Sequence, residues 1–411
     1  MKKSIKLLLI IVLMFSFLLA KPKVKLGIDV LESHGFDLLK GKRVALITNP
    51  TGVSQDLRST VDILFEAPEV ELVALFGPEH GVRGNFFAGD KVDDDVDPAT
   101  GVPVYSLYGK RKRPTPESLK DVDVLIFDIQ DIGCRSYTYI STMGRCMEAA
   151  AENDVEFMVL DRPNPLTGNI VEGATVKDGF HSGVSAYKIP YVHGLTIGEL
   201  AHVYNEEGLL RDGVKCELTV VPMKGWKRKM AFDDTGLQWV PSSPHIPEGN
   251  TPPYYVSTGV IGEFYQLNIG VGYTIPFKCY AAEWIDANEL AKEMNALGLE
   301  GVVFRPIAYD PFYGADKGKH VQGVQVHITD FRKVELMYLQ FRFLEVHHRL
   351  YPEHDLFEMS KKRWRMFDLV CGTDEIRKEF TKNHKFEDIK PIFERDVEEF
   401  RSMSQKYYLY K

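Results

Sequence analysis

Four short apolar runs constrain this chain more than any other feature: KRVALITN (42–49), VELVALF (70–76), DVDVLIFD (121–128) and VEFMVLD (155–161). Each is nearly continuous in β-branched and aliphatic residues, as a strand buried on both faces must be. Each ends in a polar or glycine-rich turn. Segments with helical spacing follow, over 54–66 and over 139–153, the latter with Ile140, Met143, Met147 and Ala150 on one face. Alternation of this kind predicts a parallel sheet covered by helices on both sides, with right-handed crossovers that bring every strand's carboxyl end to one edge. Open α/β sheets bind their ligands at that edge.

The residues that follow the runs are rich in chemistry. Asn49 closes the first. The second leads into FGPEHGVRG (76–84), a tight turn that delivers Glu79, His80 and Arg83. The third supplies Asp128, Gln130, Asp131, Arg135 and, just beyond, Tyr137; the fourth supplies Asp161, Arg162 and Asn164. Singly each is an ordinary loop residue, and an Asp-Arg pair ahead of Pro163 and Pro165 can simply stiffen its loop. Gathered on four consecutive strand ends, they predict a site. No GxGxxG opens a helix after the first run and no GxxxxGK[ST] occurs, so a nucleotide site has no support.

A chain of 411 residues predicts two domains. With 44% hydrophobic and 26% charged residues it has the composition of a globular protein. The net charge is −8, and no basic block beyond the first residues could neutralise phosphates, which excludes nucleic acid as a partner. MKKSIK followed by a 14-residue apolar run reads as a secretory signal over residues 1–20, too short for a comfortable bilayer span. Leu18 stands where cleavage after Ala20 favours a small residue, so an uncleaved anchor stays open as an alternative. Export to the periplasm or exterior is expected, with no stable membrane span once the signal is removed. The five cysteines are scattered without metal-type spacing and read as buried thiols, one disulfide being possible.

Farther along, Thr196 and Glu199 form a capping box, with His193 just before it. His202 reads as structural. KGWKRKM (224–230) reads as a solvated basic loop after a strand over 217–223. Five prolines within 239–253 predict an extended crossing between domains, flanked by Trp239, Tyr254, Tyr255, Phe264 and Tyr265 as aromatic faces for a sugar or for a core. Glycine-rich loops are expected over 259–272. Strands over 278–284, 301–309 and 321–329, a helix capped at Asp286 and Glu289, a long helix over 334–350 and another over 388–408 complete the chain. His347 and His348 fall at a helix end where positive charge is favourable, and read as that rather than as metal ligands. The fold class is α/β: a Rossmann-like parallel-sheet domain over 21–248 and a smaller α+β domain over 249–411 that completes the cleft.

FGPEHGVRG, TGVPVYSLYG (100–109), FDIQDIGCRSYTYISTM (127–143), VLDRPNPLTG (159–168), HGLTIGELA (193–201) and WVPSSPHIP (239–247) together resemble the exo-β-N-acetylmuramidase family, formerly a domain of unknown function, DUF1343. The resemblance implies exo-lytic release of N-acetylmuramic acid, or a related amino sugar, from the non-reducing end of peptidoglycan fragments. It implies a cleft between the two domains, no cofactor and no metal. It also assigns Glu79 of the PEHG motif as the catalytic glutamate, beside His80. Where the family reads like EGTNLSEGRGTT, this chain has Glu263 followed by Ile269 and Val271 in place of a Glu and an Arg, and His245 stands where Asn is usual. An arginine fork suits the lactyl carboxylate, so its absence leaves the choice of sugar open.

Glycoside hydrolysis needs a proton donor and a group that stabilises an oxocarbenium-like transition state. Glu79 is the expected acid; Asp128, with Asp131 or Asp161 as alternatives, or the substrate's acetamido group, is the expected partner. Asn49, Arg83, Gln130, Asp131, Arg135, Tyr137, Asp161, Arg162, Asn164, His193, Trp239 and Glu263 are the expected substrate contacts. Two other classes stay open: a glycan-binding envelope protein without turnover, and a metal-dependent hydrolase built on Glu79, His80, Asp128 and Asp131, although no HExxH-type spacing occurs.

Overall fold

The structure, a computed structural model, describes residues 24–79, 81–84, 95–109, 111–314 and 316–411. The expected signal segment and His80 lie outside them. The helices used below are α1 (Gly27–Ser33), α2 (Thr60–Glu66), α3 (Tyr139–Glu152), α4 (Ile197–Glu206), α5 (Thr251–Gly262), α6 (Ala287–Ala296), α7 (Leu336–Leu350), α8 (Glu375–Asn383), α9 (Phe386–Glu394) and α10 (Val397–Ser404).

The four apolar runs form β1 (Arg43–Thr48), β2 (Glu71–Gly77), β5 (Val124–Asp128) and β6 (Glu156–Leu160) of a seven-stranded sheet. The others are β3 (Asp95–Val96), β4 (Pro103–Ser106) and β7 (Leu218–Val221), in the order β3-β4-β2-β1-β5-β6-β7. All neighbours are parallel except β3, which runs against β4. The chain winds outward from β1 through β2 to β4, then crosses back and continues outward from β5. The winding reverses between β1 and β5, where Thr48 lies in register with Asp128. A crevice opens at such a reversal because the flanking loops leave in opposite directions.

Alternate side chains of each strand face opposite layers. Ala45, Ile47, Phe127 and Phe157 pack with α3 and α4, while Val44, Leu46, Ile126 and Met158 pack with α1 and α2. The second domain is an antiparallel sheet of β8 (Cys279–Ala282), β9 (Val302–Tyr309) and β10 (Val321–Ile328), in the order β8-β10-β9. Helices cover it around Phe341, Phe343, Phe367, Phe380 and Phe393.

Several local expectations are corrected. Helix α2 begins at Thr60 rather than near residue 54, because the Ser59 side chain accepts from Val61 N and Leu57 holds φ at +66°. The extended segment ends at residue 250: Pro252 and Pro253 occupy the first turn of α5, where no N–H is required, so part of the expected glycine loop is helix. The tail is two helices, α9 and α10, instead of one. Nor is the basic loop solvated at Arg228. That side chain is buried, binds both oxygens of Glu199 and the carbonyls of Gly168 and Gly194, and lies under the Tyr408 ring. The five cysteines are all free and buried. No helix among the described residues is long and apolar enough to cross a membrane.

Among the contacts that join the domains, three stand out. Arg135, buried, donates to the carbonyls of Ala174 and Ile189 and to Val370 of the second domain. Residues beyond α9 turn back onto the first sheet: Val397 and Phe400 enter its core, and the Tyr410 hydroxyl donates to Asp161 Oδ2. Glu172 accepts from the N–H groups of Leu336 and Met337 at the start of α7. Burial pushes the Glu172 carboxyl up to about 7 against those two donors. A folded-state value raised from the usual 4.5 means the group's contribution is full below that pH and lost as pH rises through about 7. Urea unfolding of wild type and Glu172→Gln between pH 4.5 and 8 is expected to show the difference drifting toward the Gln variant by up to about 3 kcal/mol as pH rises.

Candidate active site

The carboxyl edge at the β1/β5 reversal is built from the turns after four strands. After β1, Asn49 Oδ1 accepts from the N–H of Thr51 at 2.9 Å and from its hydroxyl. The same hydroxyl accepts from Gln130 N at 2.8 Å, which ties this turn to the one after β5. Gly52 permits the closeness, since a Cβ there would meet Thr48 Oγ1 at 2.0 Å. After β2 the chain turns at Gly81, and Gly84, with φ +78°, packs where a Cβ would lie 2.6 Å from Pro50.

Glu79 is half-buried on this edge. Beside it stands Tyr108, two residues past β4; burial, and then the Glu79 charge, raise its pKa. Tyr139, at the start of α3, lies between the carboxylates: burial raises its pKa, and both Glu79 and Asp131 add to the rise. Its hydroxyl donates to Ser242 O, and that of Tyr137 donates to Ser242 Oγ, both at 2.7 Å. The proline-rich crossing thus forms one wall. Tyr255 of α5 completes it, its ring meeting Tyr137 edge-on at 5.9 Å.

Three buried polar atoms on this edge have no hydrogen-bond partner among the described residues: Asn49 Nδ2, Asp131 Oδ1 and His193 Nε2. The other Asp131 oxygen accepts from Gly133 N at 2.6 Å and lies 3.8 Å from His193 Nε2. His193 Nδ1 accepts from Leu195 N, so its position is fixed from behind. Unpaired buried polar atoms are costly and rare in native proteins. Three on one crevice mark a surface shaped for a polar ligand.

Other expected site residues stand behind this surface. Asp128, fully buried, binds Arg162 through both oxygens at 2.5 and 2.9 Å and also accepts from Thr60 Oγ1. Asp161 accepts from Thr196 Oγ1, Tyr410 OH and the N–H groups of Arg162 and Gly198. Asn164 bridges Leu166 N and Leu195 O, and Gln130 Nε2 donates to the carbonyls of Asp131 and Pro163. Arg83 turns away to Asp62 and Asp97, and their carboxylates hold its pKa up. Trp239 donates to Ile246 O and lines, with Thr51, Gln130 and Arg162, a depression of about 340 Å³. Glu263 binds Arg363 at 2.6 Å. The forks of Arg83, Arg135 and Arg162 are therefore all engaged by protein groups.

The departing loop is apolar where charge was expected. Ile269 is buried against Gly262, and Val271 packs on the same second-domain core. At its rim Tyr273 stacks on Tyr309, while His245 stacks on Tyr313 and bonds its hydroxyl at 2.9 Å. Phe312 and Tyr313 are exposed.

Residues 44–250 match the amino-terminal domain, and residues 253–410 the carboxyl-terminal domain, described as exo-β-N-acetylmuramidase NamZ. The chain belongs to this family. It is 46% identical over 390 residues to the peptidoglycan β-N-acetylmuramidase NamZ of Bacillus subtilis strain 168, covering 95% of this chain and 92% of that one. Among solved structures it is similar to a DUF1343 family protein of Bacteroides fragilis NCTC 9343, with a TM-score of 0.92, 55% identity and coverage of 95% and 100%. A second DUF1343 protein of that organism superposes with a TM-score of 0.72 at 29% identity, covering 94% and 99%.

Tyr108, Tyr139 and Ser242 of this NamZ-family edge were not found from the sequence. Tyr108 had a usable signal, a short apolar PVYS strand whose parallel pairing with β2 sets the next residues beside Glu79. Removing the hydroxyl in Tyr108→Phe is expected to lower kcat about tenfold or more with KM little changed.

Proposed function

We propose that this protein is an exo-acting glycoside hydrolase that releases N-acetylmuramic acid from the non-reducing end of peptidoglycan fragments. The observation that carries the reading is the family's PEHG glutamate, Glu79, half-buried on the sheet's ligand edge with Tyr108 beside it. Full-length similarity to a characterised peptidoglycan β-N-acetylmuramidase supports the substrate class.

In this reading Glu79 gives its proton to the leaving oxygen as the glycosidic bond stretches. Tyr108 holds the carboxyl in the orientation that transfer needs. The second carboxylate is Asp131. Asp128 accepts from three donors and Asp161 from four, whereas Asp131 Oδ1 is buried with no partner among the described residues. Asp131 stabilises the positive charge that develops at the anomeric carbon, and His193, 3.8 Å away, adjusts that charge. Asn49 Nδ2 supplies a donor to the sugar. Asp128 acts by positioning: it clamps Arg162, which carries the turn after β6.

With every named arginine fork engaged, neutral groups read the sugar's substituents. The aromatic rim of His245, Tyr273, Phe312 and Tyr313 offers flat faces for the pyranose ring next to the bond that is cut. The positively charged start followed by an apolar run supports export through a signal segment, which places the protein where peptidoglycan fragments are found.

A chromogenic N-acetylmuramide tests the assignment. Glu79→Gln is expected to lower turnover by about 10³-fold or more, and Asp131→Asn by about 10²-fold or more, with unchanged unfolding curves. Asp128→Asn is expected to act chiefly on stability. Undiminished turnover in the Glu79 variant would end the assignment.

A further inference from the structure

Away from the cleft, three helical elements of the second domain bring His348, Asp355 and His384 together. His348 lies in the last turn of α7; His384 follows α8 directly in the left-handed conformation, φ +52°. Asp355 opens the short helix Leu356–Met359 and spends Oδ1 on the N–H groups of Phe357 and Glu358. Its Oδ2 faces both imidazoles, 3.4 Å from His348 Nδ1 and 3.6 Å from His384 Nε2. The three ligand atoms lie within 4.8 Å of one another.

These distances are too long for good hydrogen bonds. They are instead the edges of a coordination tetrahedron: ligands about 2.0–2.1 Å from a central ion stand about 3.3–3.5 Å apart. The carbonyl ends of α7 and α8 both point to the spot, adding negative potential where a cation would sit. The neighbouring histidines are committed elsewhere, His347 accepting from Trp284 Nε1 at 3.2 Å and His354 stacking on the same indole. The rings of His348 and His384 lie parallel with centroids 3.4 Å apart, so capture of an ion fans them open about χ2. Side-chain exposures of 33%, 19% and 16% for His348, Asp355 and His384 leave room for a water as fourth ligand.

We infer that His348, Asp355 and His384 form a binding site for a divalent transition-metal ion of the zinc class, which clips the carboxyl ends of α7 and α8 to the α7–Leu356 connection. Two imidazoles and one carboxylate suit Zn²⁺ over Mg²⁺ or Ca²⁺, which prefer all-oxygen shells. The sequence conceals the set because its members stand 7 and 29 residues apart, outside any compact metal motif. The site is remote from Glu79 and does not depend on the glycosidase reading.

The test uses the full chain without a histidine tag, stripped with a chelator, then titrated with Zn²⁺ and, for its visible spectrum, Co²⁺. One equivalent of Zn²⁺ per chain with an apparent Kd of about 10 μM or tighter, together with a raised Tm, is expected. His384→Asn, which tolerates the left-handed conformation, and His348→Gln, which suits a helix, are each expected to weaken binding at least tenfold and abolish the Tm shift. Glu79→Gln is expected to bind as wild type does. Weaker binding by the wild type, or retention by the His348 and His384 variants, would overturn the site.

Discussion

The buried ion pair between Asp128 and Arg162 is the interaction on which the rest of the cleft depends. Asp128 ends β5 and Arg162 follows β6, so their paired bonds fasten adjacent strand ends. The same guanidinium reaches Val53 O after β1, and the same carboxylate takes the hydroxyl of Thr60 at the start of α2. Three loops and a helix are thereby fixed about one pair of charges. In so dry a setting either charge alone would be very costly, and the pair is tolerable because its paired bonds are supplemented by Thr60 Oγ1 on the carboxylate and Val53 O on the guanidinium. What the arrangement gains is geometry: a rigid floor behind a small number of buried groups that the described protein leaves unsatisfied.

That division between satisfied floor and unsatisfied surface explains what could be read from the sequence and what could not. The alternation of apolar runs and helical spacing, together with the handedness of crossovers, was enough to bring Asn49, Glu79, Asp128, Asp131 and Asp161 to one edge. It could not say which carboxylates would be spent inside. Asp131 differs from Asp128 through its partners: Asp128 is claimed by Arg162 from the turn after β6, and Asp131 only by the Gly133 N–H of its own turn. Arg83, Arg135 and Arg162 looked alike as candidate forks, and each found a different set of internal acceptors. Helix α5 was hidden because proline forbids a helix's interior but not its first turn.

The loop with Ile269 and Val271 shows how a charged feature of the family is replaced. Removal of two charges leaves no hole, because Ile269 enters the second-domain core and Gly270 and Gly272 keep the positive φ the turn requires.

The segment 397–411 has a consequence for how the molecule is made. Phe400, Tyr408 and Tyr410 complete the packing of α4 and the turn after β6, although a whole domain separates them in the chain. During synthesis the first sheet therefore emerges with Arg228 lacking the Tyr408 ring and Asp161 lacking the Tyr410 hydroxyl, until the second domain has been made. Contacts at such long range close late. The two domains therefore reach their final packing only once residues 397–411 are available.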